Sequence, residues 1–145
     1  MSAGFIWMNE FLSVRNAVES LGDEARKSIA ERVYNKFAIA KFAEAEGLDL
    51  RKTFQTLAAI ATAERHQALQ DGAADERDPD WAAAALGESW AGAKVGVLSG
   101  MMEGQIVEEI EKSLTQLCDE QLTGEDKRRI EESTRAVRRP WWKFW

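Results

Sequence analysis

The chain has 145 residues, of which 45% are hydrophobic and six are Trp, enough to bury one core and too apolar for a disordered polymer. A net charge of −6 at pH 7 argues against a general nucleic-acid binder, which presents a basic face. The only cysteine is Cys118, which excludes an intramolecular disulfide and a metal site built on paired cysteines.

The first residues, MSAGFIWMNEFLSVR, have neither a basic leader nor a long apolar run, so no secretory signal is expected and a cytoplasmic location is the default. Little of the chain alternates with period two, and β-branched residues are sparse, which points to helices throughout. The first predicted helix covers residues 5–20. The second covers residues 23–46, with Ile29, Val33, Phe37 and Ala40 on one face and Gly47 as its stop. Asp49 caps a third helix reaching residue 70, whose apolar face holds Leu50, Phe54, Leu57, Ala58, Ala61 and Ala68. Residues 71–80 form the clearest loop: Pro79 holds the residue before it extended, and Asp80 is placed to cap the next helix.

The fourth predicted helix is long, residues 81–122, with a kink among its glycines. Gly92, Gly96, Gly100 and Gly104 recur every fourth position, which on one helix makes a stripe without side chains. Each interior glycine costs roughly 0.5–1 kcal/mol relative to alanine, so close approach by another helix is the expected offset. That helix could belong to the same chain or to a neighbour. Glu88, Lys94 and Glu103 within this weakly polar stretch are costly at mid-bilayer, so it is not expected to span one. Thr123 caps a last helix, residues 125–138, which stops before Pro140. The expected fold is all-α: an antiparallel bundle of four to five helices with a long glycine-striped helix in residues 1–139, followed by a Trp-rich tail in residues 140–145.

Chemistry-bearing residues are few. His66 is the sole histidine and lies roughly 140° from the apolar face of its helix, so it is expected to face solvent or a partner. Glu31, Glu64, Glu103, Glu108 and Glu111 are the carboxylates a helical bundle could gather around two metals, but the Glu-x-x-His pair such a site needs is missing, because Ala63 stands three residues before His66. Cys118 lies among Leu114, Leu117 and Leu122 and reads as a small half-buried residue. The glycines have the wrong spacing for a phosphate loop. Neither a metal nor another cofactor is expected, and catalysis is not the favoured activity.

Charge is segregated. Residues 103–126 hold eight acids and one cation (Lys112), and residues 127–145 hold seven cations and two acids, so the basic end suits the acidic stretch of its own chain or of a neighbour. The tail places Arg138, Arg139 and Lys143 among Trp141, Trp142, Phe144 and Trp145. Cations interleaved with indoles fit a protein groove, where Trp and Arg dominate binding, and equally fit an anionic membrane surface. They also fit a tail folded back as aromatic core.

IAERVYNKFAIAKFAEAEG (residues 29–47) and FQTLAAIATAERHQALQ (residues 54–70) resemble the first two helices of ferritin-like bundles of the rubrerythrin type. AGAKVGVLSGMMEGQIVEEIEKSLTQLCDEQL is similar to the glycine-containing half of the demethoxyubiquinone hydroxylases, membrane-surface members of the same fold. The resemblance implies that Glu31 and His66 stand where that fold carries metal ligands, while Ala63 replaces a ligand and the second Glu-x-x-His is absent. It therefore implies a bundle that has lost its di-iron centre. The expected function is that of a non-catalytic assembly or adaptor protein whose basic, Trp-rich tail binds a protein partner, with self-association through the glycines. The alternatives are a membrane-peripheral accessory protein and a carboxylate-bridged di-metal oxidase.

Overall fold

The computed structural model describes residues 3–73 and 75–136. Within them lie six α-helices and no strand: α1 (Ala3–Glu19), α2 (Asp23–Ala45), α3 (Leu50–Gln70), α4 (Pro79–Leu98), α5 (Gly104–Gln121) and α6 (Gly124–Ala136).

Local chemistry explains most of the helix ends. The Asp49 carboxylate accepts hydrogen bonds from the Arg51 and Lys52 amides and so caps α3. Thr123 and Asp126 cap α6 reciprocally: the Thr123 amide donates to the Asp126 carboxylate and the Asp126 amide donates to the Thr123 hydroxyl, each at 3.0 Å. The bond from the Thr123 amide, followed by the Thr123 hydroxyl beside it, holds the Asp126 carboxyl below the usual carboxylate range. Helix α4 begins two residues earlier than expected. Pro79 is its first residue and Asp78, rather than Asp80, is the N-cap, since a proline without an N–H costs nothing at that position.

The expected long helix is two helices. Helix α4 ends at Leu98, where Gly100 adopts φ +74°. The Gly100 amide donates to the Val97 carbonyl at 3.0 Å, and the Met101 amide donates to the Gly96 carbonyl at 2.8 Å, a Schellman closure. The chain then turns back so that Met102 covers Gly96; a Cβ at Gly96 would lie 2.4 Å from Met102 Sδ. The glycines therefore do not form one continuous stripe on one helix. Gly92 and Gly96 belong to α4, Gly100 terminates it, and Gly104 opens α5.

Helix α4 is the centre of the fold. Its buried residues include Ala82, Ala83, Ala84, Ala85, Leu86, Gly87, Trp90, Ala91 and Ala93, which surround its whole circumference. A helix apolar all round is one that neighbours enclose, and small side chains let them approach. Helix α3 returns along α4 as an antiparallel hairpin, with Arg65 over Trp81 and Phe54 against Trp90. Helix α2 runs in the same direction as α4, pairing Arg32 with Asp80 near one end and Phe37 with Trp90 further on. Helix α5 runs against α2, with Cys118 Sγ 3.7 Å from the Ala30 carbonyl. Helix α6 then runs alongside α2 in the same direction, from the Lys27–Asp126 pair to the Asn35–Thr134 hydrogen bond. Helix directions are thus mixed, and there are six described helices where four to five were expected. Helix α1 closes the core with Phe11, Val14 and Val18, each at most 2% exposed. Among the described residues, no helix is long and apolar enough to cross a membrane.

Candidate functional site

A cleft of about 660 Å³ opens between α2, α3, α4 and α6 and is built around a lysine. Lys36 occupies the inward register of α2, seven residues after Ile29 and three after Val33, both of which are buried. It is itself only 7% exposed. Its stem crosses α4 at Gly87, where a Cβ would stand 2.7 Å from Lys36 Cε. Gly87 is therefore the position that lets a long side chain pass between two helices. Beyond it, Lys36 Nζ reaches Glu64 Oε2 on α3 at 3.1 Å. Arg32 pairs with Asp80 at 2.6 Å and Arg129 with Glu31 at 3.4 Å along the same walls. Each of these cations faces a carboxylate from another helix, so the cleft ties α2 to α3, α4 and α6.

Adding a methyl at Gly87 tests this reading. Alanine gains roughly 0.5–1 kcal/mol of helix propensity. Displacing the buried Lys36 from Glu64 costs about 1–3 kcal/mol. Gly87→Ala should therefore be net destabilising in urea melts, and pairing it with Lys36→Ala should remove most of the loss. A stabilised single variant would show that Lys36 moves aside freely.

A second network joins α1, α3 and α4. Arg65 Nη1 lies 3.2 Å from Glu10 and 2.6 Å from Glu88, and the Thr62 hydroxyl donates to Glu88 at 2.8 Å. The Arg65 guanidinium also stacks 4.6 Å from the Trp81 ring centroid. His66, one residue further on, is exposed, as its angular position on the helix predicted.

The carboxylates considered as metal ligands are dispersed. Glu31 and Glu64 serve the cleft pairs, Glu111 accepts from the Trp90 indole at 3.2 Å and faces Lys94 at 3.6 Å, Glu103 is the residue before α5, and Glu108 is exposed. Among the described residues, no group of three or more His, Cys, Asp or Glu side chains is close enough to hold a metal ion. Compared with known proteins, the chain matches no family model, no curated protein and no solved structure.

Of the glycines singled out by spacing, Gly92 is half-buried, and Gly96 is occupied by Met102 of its own chain. Gly100 and Gly104 are exposed, with open space where a Cβ would stand. Arg138, Arg139, Trp141, Trp142, Lys143, Phe144 and Trp145 lie outside the described residues. Reading by residue type passed over Lys36 and Gly87. Their signal is a lysine at the buried register of α2 and a lone glycine following a run of alanines.

Cys118 is 2% exposed, and burial pushes its thiol from the ordinary 9.0 up to about 12. Tyr34 rises from 10.0 to about 12, through burial first and then its hydrogen bond to Glu131. In the unfolded chain both groups ionise at their ordinary values, whereas in the fold they stay protonated to about pH 12. Their contribution to stability is therefore complete below pH 9 and falls as pH rises from 9 towards 12. Urea midpoints should drop between about pH 8 and about pH 10.5, and Cys118→Ala with Tyr34→Phe should flatten that drop. An equal drop in the double variant would assign the loss to other groups.

Proposed function

We propose that the chain is a non-catalytic helical binding module that engages a protein partner through its basic, Trp-rich segment, residues 138–145. The observation that carries this reading is the segregation of charge. The last nine residues hold three of the 19 cations and none of the 25 acids, so residues 1–136 hold 16 cations against 25 acids, a net −9. The exposed side of α5 adds to this asymmetry, with Glu108, Glu109, Asp119 and Glu120 against Lys112. An acidic body is repelled by an anionic lipid surface, which favours a protein groove over a membrane as the site for the indoles and arginines. The carboxylates a di-metal oxidase would need include Glu31, Glu64 and Glu111, and each is engaged with a cation of the same chain.

The test compares the immobilised full chain, the chain ending at residue 136, and Trp141→Ala with Trp142→Ala. Each is used for capture from the native host and for co-sedimentation with anionic vesicles. The expected result is a defined protein retained by the full chain and lost from both variants, with the protein remaining in the supernatant above the vesicles. Sedimentation with vesicles through the same segment, without protein capture, would replace this reading with a membrane-peripheral one. Stoichiometric iron or manganese in the purified protein would replace it with an enzyme.

A further inference from the structure

Helix α6 lies along one stripe of α2 and stops before α2 does. Its partners follow α2 in order: Asp126 pairs with Lys27, Arg129 with Glu31, Glu131 with Tyr34 and Thr134 with Asn35. These α2 positions recur at three- and four-residue spacing, so they share one face. The same spacing carries that face on through Ala38, Lys41, Phe42 and Ala45, whereas α6 ends at Ala136. There the four α2 residues border a cavity of about 130 Å³ whose other wall includes Thr134 and Arg135 of α6. Ala38 is 8% exposed and Phe42 is half-buried, so the floor is apolar. Beyond Ala38, α2 runs on to Ala45, about two turns or roughly 10 Å at 1.5 Å per residue.

Residues 137–145 follow directly from α6 at this cavity. Pro140 cannot extend α6 along α2, because it lacks an N–H and clashes with the preceding turn. Residues 137–139 span about 10 Å when extended, at ~3.3 Å each, which matches the length of α2 beyond Ala38. Trp141 and Trp142 are therefore within reach of Phe42 and Ala45. Charge favours the same place. The end of α2 and the turn after it carry Glu44, Glu46 and Asp49, and Glu131 lines the cavity, four acids against Lys41 and Arg135. Residues 137–145 bring three cations and no acid.

We propose that this end of α2 is the resting site of the chain's own residues 140–145, whose indoles lie on Ala38, Phe42 and Ala45 until a partner displaces them. Phe42 offers an aromatic ring for edge-to-face contact, and Lys41 a cation for an indole face. The docking stands on its own, and only the competition with a partner rests on the binding reading above. A docked segment outnumbering the released one about fivefold leaves about one chain in six ready to bind, so a partner's apparent affinity falls about sixfold. A contact this weak does not carry the fold of residues 1–136.

A lysine-specific protease acting on the folded full chain reads the released fraction through the Lys143–Phe144 bond, with loss of the last two residues followed by mass spectrometry. The full chain should be cut about fivefold more slowly than a free peptide of residues 137–145. Ala45→Arg places bulk and a like charge at an exposed position of α2, where the fold tolerates it. Trp141→Ala with Trp142→Ala removes the indoles. Each variant should be cut as fast as a free peptide carrying its own sequence of residues 137–145. In the full chain, NMR should show contacts from the indole protons to the Ala38 and Ala45 methyls, and Ala45→Arg should abolish those to Ala38. Cutting of the full chain at the peptide's rate overturns the proposal, as does protection unchanged in Ala45→Arg. Protection that rises with protein concentration also overturns it, by giving the cavity to a second copy's segment. A captured partner alongside an unprotected bond removes the docking and leaves the binding reading. A protected bond, with no partner dependent on the segment, keeps the docking and removes that reading.

Discussion

Trp90→Ala should destabilise the fold by about 3–5 kcal/mol, the cost of truncating a large aromatic side chain in a packed core. Trp90 is 4% exposed and lies where α2, α3, α4 and α5 meet. Phe37 of α2 meets its ring edge-on at 4.6 Å, and Phe54 of α3 at 5.1 Å. Its indole N–H donates to Glu111 of α5 at 3.2 Å. Alanine removes both aromatic contacts and leaves a cavity among helices whose backbones are already close, so little collapse is available to offset the loss. Thermal unfolding followed by circular dichroism should show a melting temperature lower by roughly 10–20 °C. Trp90→Phe keeps ring volume and loses the hydrogen bond, so it should cost only about 1–2 kcal/mol. A Trp90→Ala protein melting within a few degrees of the parent would mean that the four helices do not converge on this residue.

Gly96→Leu combined with Gly100→Leu should be the second large effect, acting on the joint between α4 and α5. Gly100 has φ +74°, a conformation that costs a side-chain-bearing residue roughly 1–2 kcal/mol. Gly96 is covered by Met102, and a side chain there must expel it. Overpacking of this kind costs typically about 1–3 kcal/mol. The two positions share one turn, so their effects need not add, and the combined loss is about 2–5 kcal/mol. Melting temperature and light scattering should be read together. A lower melting temperature at unchanged mass is the expected result for a joint within one chain. A loss of mass would assign the glycines to a contact between chains, and no change in either would remove them from both roles.

Much of the fold is legible in local sequence. Asp49, Gly47 and Thr123 mark helix ends because short polar side chains and a left-handed glycine satisfy backbone groups within a few residues of themselves. Ile29 and Val33, Phe54 and Leu57, and Ile110 and Leu114 are buried as their spacing requires. The break between α4 and α5 is harder to read. Glycine every fourth residue has the same periodicity whether it lines one helix or separates two. What decides between them is the Schellman closure at Gly100 together with Met102 packing on Gly96. Ser99-Gly100 after an apolar run is the local mark of that stop. Lys36 escaped notice for a different reason. Lysine is read as a surface residue, and its burial depends on a glycine more than fifty positions away that gives its stem room.

The binding reading rests on the acidic body folding without the basic, Trp-rich segment, which is then free for a partner. The most direct measurement is the thermal unfolding of the chain ending at residue 136, compared with the full chain by circular dichroism at matched concentration. The account predicts the same helical signal and a melting temperature within about 4 °C, corresponding to a change of no more than ~1 kcal/mol. Unfolding of the shortened chain, or a fall of more than about 10 °C, would contradict it, because the indoles would then belong to the core of their own chain.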